Sequence, residues 1–124
     1  MNEVINTTHA PAPIGPYNQA IRSNNLVFLS GQVALDSQTG EMVNNTLEDE
    51  TNKVLDNISA VLKEAGLDFS NIIKSSIFLT NMDDFSIVNN IYESRFTKNY
   101  PARETVEVSR LPKNARVEIS VIAG

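Results

Sequence analysis

The sequence predicts an α+β fold in which a mixed sheet of about six strands carries two helices on one face. Three observations point to it. Apolar β-branched residues alternate with polar ones in the last quarter of the chain, from Ala102 to Ser109 and again from Ala115 to Val121. Two other stretches repeat their apolar residues at helical spacing instead. The order of these signals is two strands, a weaker third, a helix, a strand, a second helix and two closing strands. At 124 residues the chain reads as a single domain over 1–124, long enough to bury a core without disulfide or metal staples.

The elements follow in chain order. Ala10-Pro11-Ala12-Pro13-Ile14-Gly15-Pro16 is a loop, too short to separate domains. Tyr17 to Arg22 reads as a strand, Asn24-Asn25 as a tight turn, and Leu26 to Ser30 as a buried strand ending at Gly31. Asp36 to Gly40 has turn composition. A helix follows: Leu47, Thr51, Val54, Leu55, Ile58, Val61, Leu62 and Ala65 share one stripe. Asn45 is the expected cap, Glu48 stands three residues on, and Gly66 ends the helix. Ile72 to Leu79 is the next strand, its alternation broken at Ser75-Ser76. Asp83 or Asp84 opens a second helix with Phe85, Val88, Tyr92 and Phe96 on one stripe. In the first closing strand Arg103, Thr105, Glu107 and Ser109 share a side opposite Ala102, Glu104, Val106 and Val108. Leu111-Pro112-Lys113-Asn114 breaks the pattern. Ala115, Val117, Ile119 and Val121 then face away from Arg116, Glu118 and Ser120.

Two helices cover one face of such a sheet. The other face needs a different cover, because Val27-Phe28-Leu29 and Ile77-Phe78-Leu79 are apolar on both sides. A second copy of the chain is the natural cover, and an oligomer is expected.

Ten basic and fifteen acidic residues give a net charge of −5, with no basic cluster, so nucleic acid is not an expected ligand. No cysteine is present, which excludes thiol nucleophiles and thiolate metal sites. The single histidine, His9, makes no metal site by itself. No apolar run has membrane-spanning length and no leader pattern opens the sequence, so a cytoplasmic protein without membrane association is expected. Taken alone, Arg103 and Glu118 read as solvated strand charges, and Glu107 or Arg116 as their cross-strand partners.

Several segments together change that reading. Ala12-Pro13-Ile14-Gly15-Pro16-Tyr17, Ser30-Gly31-Gln32, Val88-Asn89-Asn90-Ile91-Tyr92-Glu93, Pro101-Ala102-Arg103, Val106-Glu107-Val108 and Arg110-Leu111-Pro112-Lys113 resemble the RidA (YjgF-type) family, in family order across nearly the whole chain. The resemblance implies a homotrimer of chorismate-mutase-like subunits with a ligand cleft at each interface. It implies hydrolysis of reactive enamine and imine acids, 2-aminoacrylate/2-iminopropanoate and 2-iminobutanoate, to 2-oxo acids and ammonia, without metal or cofactor. By the family motif Arg103 binds the substrate carboxylate, for which a planar guanidinium supplies two parallel hydrogen bonds. Glu118 positions the attacking water. Tyr17, Ser30, Gly31, Asn89 and Thr105 line the cleft. Thr105 stands where many members have cysteine, which removes any thiol role there. Glu104 replaces a smaller residue, and alternation sends it to the face opposite Arg103. The second reading is a regulatory, chaperone-like or translation-inhibiting ribonuclease module that uses the same cleft to bind small carboxylates.

Overall fold

The computed structural model of the chain, described over residues 2–124, holds six strands and two α-helices. The strands are β1 (Glu3–Ile5), β2 (Ala20–Ser23), β3 (Leu26–Leu29), β4 (Ile72–Leu79), β5 (Ala102–Glu107) and β6 (Val117–Ala123). They form one sheet in the order β1-β2-β3-β6-β4-β5. All pairings are antiparallel except β4 with β5, which run parallel at the sheet edge, so the sheet is mixed as expected. The helices are α1 (Leu47–Glu64) and α2 (Phe85–Glu93). No described helix is long and apolar enough to cross a membrane.

The sixth strand is not where periodicity placed it. Between β3 and α1 the chain forms only isolated bridges, Gln32 to Ile119 and Leu35 to Met42. The missing strand is β1, three residues that carry too few positions to show a period. β2 begins at Ala20 rather than Tyr17, because the residues before it are tied to the N-terminal segment instead of a strand. The Gln19 side chain is buried and bonds both the N–H and the carbonyl of Thr7, along with the carbonyls of Ala10 and Pro11. Its own N–H goes to the Asn6 side chain.

Helix α1 is capped by Thr46, whose Oγ1 accepts the Asp49 N–H at 3.0 Å, so the cap lies one residue beyond Asn45. Acidic Glu48, Asp49 and Glu50 in its first turn and Lys63 in its last suit the helix dipole. Gly66 has φ of +76°, the left-handed conformation that ends many helices. Its stripe of Val54, Leu55, Ile58, Val61 and Leu62 is fully buried against Ile77, Leu79, Val117 and Ile119 of the sheet. One charged group lies in that layer. Glu50 of α1 is buried and accepts from both the N–H and the Nε of Arg116, each at 2.7 Å. Arg116 is therefore a helix-to-strand tie rather than a cross-strand partner.

A short 3₁₀ turn (Met82–Asp84), capped by the Asn81 side chain, leads into α2, and Glu107 Oε1 accepts the Met82 N–H. Phe96 lies past the end of α2 and still packs its ring 4.8 Å from that of Tyr92. Ser75 is fully buried, and its hydroxyl accepts a 2.9 Å hydrogen bond from Tyr92. That bond explains a polar residue on a core-facing position.

Opposite the helices the sheet presents Val4, Phe28 and Val106, all substantially exposed in the single chain, together with Phe78 and Ile122. This is the face the sequence left without a cover.

Candidate functional site

Register decides which side chains meet. Ser75 pairs with Arg103, and Ile77 pairs with both Thr105 and Ile119. Paired residues point to the same side of a sheet, so Arg103 and Thr105 lie on the helix-covered face. Phe78 pairs with Val106 and with Glu118, which puts Glu118 on the open face. The two polar strand faces of the C-terminal region thus point in opposite directions. Glu104, as alternation requires, also lies on the open face, where it bonds Ser76 and pairs with Lys74 at 3.0 Å, away from Arg103.

Arg103 sits at the free edge beside α2. Its Nη1 donates to Asn89 Oδ1 at 2.8 Å. The guanidinium carbon lies 5.1 Å from the centre of the Tyr92 ring and 5.6 Å from that of Phe85. It borders a cavity of about 160 Å³ lined by Asn89, Tyr92, Glu93, Tyr100, Pro101 and Arg103. Burial raises the Tyr92 hydroxyl above its ordinary range, against the bond to Ser75 and the nearby Arg103 charge, so it stays a neutral donor. Thr105 Oγ1 is buried with no hydrogen-bond partner among the described residues.

Glu118 belongs to a second group. A Cβ built on Gly31 would lie 2.5 Å from Glu118 Oε2 and 2.8 Å from its Cδ, so the absent side chain is what makes room for the carboxylate. Burial raises this carboxyl above the ordinary carboxylate range. Among the described residues no side chain is hydrogen-bonded to it or ion-paired with it. Ser30 sets the adjacent backbone: its N–H bonds the Gln19 carbonyl at 2.9 Å and its Oγ donates to the Asn18 carbonyl at 2.6 Å. Tyr17, nearly half exposed, lines a small cleft with Pro11, Ile14, Gly31 and Gln32.

The seven residues singled out from sequence therefore form two groups within one chain. Arg103, Asn89 and Thr105 stand at the β5 edge; Tyr17, Ser30, Gly31 and Glu118 stand beyond the end of β3. The structure adds Tyr92 and Phe85 around Arg103. Their helical stripe was visible in the sequence, but it read as core packing alone. It also adds Gln19, for which no sequence signal existed.

A positive guanidinium bordering an open cavity can hold a planar anion, and a partly desolvated carboxylate without a partner can exchange a proton with water. Comparison with known proteins identifies the family of the chain. The family model described as "Endoribonuclease L-PSP" matches residues 7–124. A curated relative from Mus musculus, 2-iminobutanoate/2-iminopropanoate deaminase, is 43% identical over 123 residues, covering 99% of this chain and 91% of the relative. The crystal structure of the Rid-family protein YyfA from Yersinia pestis superposes with a TM-score of 0.97 at 50% identity, covering 100% of this chain and 99% of that one. The structure of E. coli TdcF with bound serine gives a TM-score of 0.93 at 39% identity, covering 98% and 97% of the two chains. On a match that takes in nearly every residue, the chain belongs to the RidA (YjgF-type) family, the endoribonuclease L-PSP group of the matching model.

Proposed function

We propose that the protein hydrolyses 2-imino acids, 2-iminopropanoate and 2-iminobutanoate with their enamine tautomers, to 2-oxo acids and ammonia. The observation that carries this reading is the Arg103 guanidinium, oriented by Asn89 at the mouth of a cavity with most of its N–H donors free among the described residues. The name of the mouse relative and the serine bound to TdcF, an amino acid with the same carboxylate, support the same substrate class.

Arg103 takes the carboxylate in a two-bond fork, which fixes the plane of the neighbouring imine carbon. Glu118 holds a water against that carbon and accepts one of its protons as the oxygen–carbon bond forms. The imine reacts in its protonated form, so the electron pair of the C=N bond moves to nitrogen to leave a neutral amine. Glu118 passes its proton to that amine, the carbon–nitrogen bond breaks with loss of ammonia, and Glu118 takes up the hydroxyl proton as the carbonyl forms, releasing it to water. Burial keeps the proton affinity of Glu118 higher than that of a free carboxylate, which suits a group that takes a proton from water. Such assistance gives about 10²–10⁴-fold. No step calls for a metal or cofactor.

Arg103 and Glu118 leave the sheet on opposite faces, so one chain does not present them to one substrate. The proposed unit is a homotrimer in which the β5 edge of one subunit meets the open sheet face and the Tyr17–Gly31 region of the next. This heterologous contact closes into a ring and covers the exposed apolar residues.

The test generates 2-aminoacrylate from serine with a pyridoxal-phosphate-dependent dehydratase and follows 2-oxo acid and ammonia release. Adding this protein is expected to shorten the imine lifetime by at least about 100-fold, the lower reach of acid–base assistance alone. An unchanged lifetime sinks the deaminase reading and leaves the carboxylate-binding module.

A further inference from the structure

The Arg103 side chain has four rotatable bonds and stands at a sheet edge, where an unsupported guanidinium would sample many positions. Here it does not stand alone. The Tyr92 ring lies under it at 5.1 Å, the Phe85 ring at 5.6 Å, and Asn89 Oδ1 takes one Nη1 hydrogen. All three come from α2, at helical spacings of three and four, so one face of that helix supplies the whole support.

Tyr92 is itself locked. It is 4% exposed, its hydroxyl donates to the fully buried Ser75, and Ser75 is the register partner of Arg103 on the adjacent strand. The ring that supports the guanidinium is thus anchored to the strand beside the one that carries it. We infer that Tyr92 and Phe85 are positioning residues for Arg103, an aromatic cradle that pre-orients the guanidinium to present its unused N–H edge to a planar carboxylate. The inference rests on the reading of Arg103 as the carboxylate-binding group.

The physical reason is twofold. A cation is attracted to the negative face of an aromatic ring, more strongly where water is excluded. A ligand meeting a guanidinium already held in place loses less side-chain freedom on binding. Asn89 consumes one of five N–H donors, and among the described residues the others have no protein acceptor. The cradle fixes the plane, and Asn89 fixes rotation within it.

The experiment is calorimetric titration of 2-oxobutanoate, a product-class acid, into wild type, Tyr92→Phe, Tyr92→Leu, Phe85→Leu and Arg103→Ala, with KM and kcat measured on each. The ¹⁵N-labelled Arg103 Nε–H resonance, shifted by the two ring currents, reports guanidinium placement directly. Tyr92→Leu and Phe85→Leu are expected to weaken binding about three- to tenfold, the range of a partly desolvated cation–π contact, and to raise KM more than they lower kcat. Both are expected to move the Arg103 resonance. Tyr92→Phe keeps the ring but releases it from Ser75, and its binding is expected to fall between those of wild type and Tyr92→Leu. Should Tyr92→Leu fail to fold, Phe85→Leu decides alone, since Phe85 is 36% exposed and outside the core. Wild-type affinity and an unmoved resonance in Phe85→Leu, with binding lost in Arg103→Ala, would overturn the cradle and leave Arg103 as the binding group. Binding retained in Arg103→Ala would instead overturn the reading beneath it.

Discussion

Arg103→Ala is expected to lose imine hydrolysis to the level of free solution and to lose most affinity for 2-oxobutanoate. The variant should nevertheless fold, because Arg103 is exposed at an edge strand and its bonds in the chain are to the half-buried Asn89 and two ring faces. The reason for a large effect is that the guanidinium supplies charge and orientation together. Removing it leaves the imine carbon free to rotate away from the water, and orientation alone is worth several orders of magnitude in rate. Arg103→Lys should recover little. An ammonium keeps the charge but neither the two-bond fork nor the flat surface that stacks on Tyr92 and Phe85. Steady-state turnover and calorimetric binding on the two variants check this. Wild-type turnover in Arg103→Ala would remove Arg103 from the mechanism.

Gly31→Ala is expected to reduce kcat by about 100-fold while leaving the fold and 2-oxo acid binding nearly intact. The added methyl would sit 2.5 Å from Glu118 Oε2 and 3.1 Å from its Cγ. What must yield is the far end of a flexible side chain, not backbone, so the chain accommodates the change by swinging the carboxylate aside. A displacement of about 1 Å at a proton-transferring group is enough for a loss of that size. Burial and charge are otherwise untouched. Thermal unfolding and single-turnover kinetics on the variant separate the two effects. A loss of kcat no larger than about twofold would mean that Glu118 need not be where Gly31 allows it.

Much of the fold was legible because it is written in local periodicity. The stripe of α1, the alternation of β5 and β6, and the opposed direction of Glu104 all follow from side-chain geometry within one element. Even the uncovered face could be read, from the consecutive apolar residues of β3 and β4. What stayed hidden depended on pairing between distant segments. β1 has only three residues and exists because β2 accepts it. The pair between Glu50 and Arg116 joins residues 66 positions apart, and nothing local in either segment announces it.

The site divides in the same way. Residue types and family order picked out Arg103 and Glu118. Their opposite facing came from the register that pairs Ser75 with Arg103 and Phe78 with Glu118, which alternation within β5 and β6 cannot supply. Tyr92 read as a core residue and is one. Its second contact, with Arg103, becomes visible once β5 is laid parallel to β4 beside α2.

The most direct measurement is imine hydrolysis by co-assembled subunits of two inactive variants, Arg103→Ala and Glu118→Gln. In a ring trimer whose sites each take Arg103 from one subunit and Glu118 from the next, random assembly of equal amounts restores an intact pair at about a quarter of the sites. About a quarter of wild-type turnover is therefore expected from the mixture, with each parent alone inactive. A mixture as inactive as its parents would contradict a shared site, since a pair drawn from one chain is never intact in either variant.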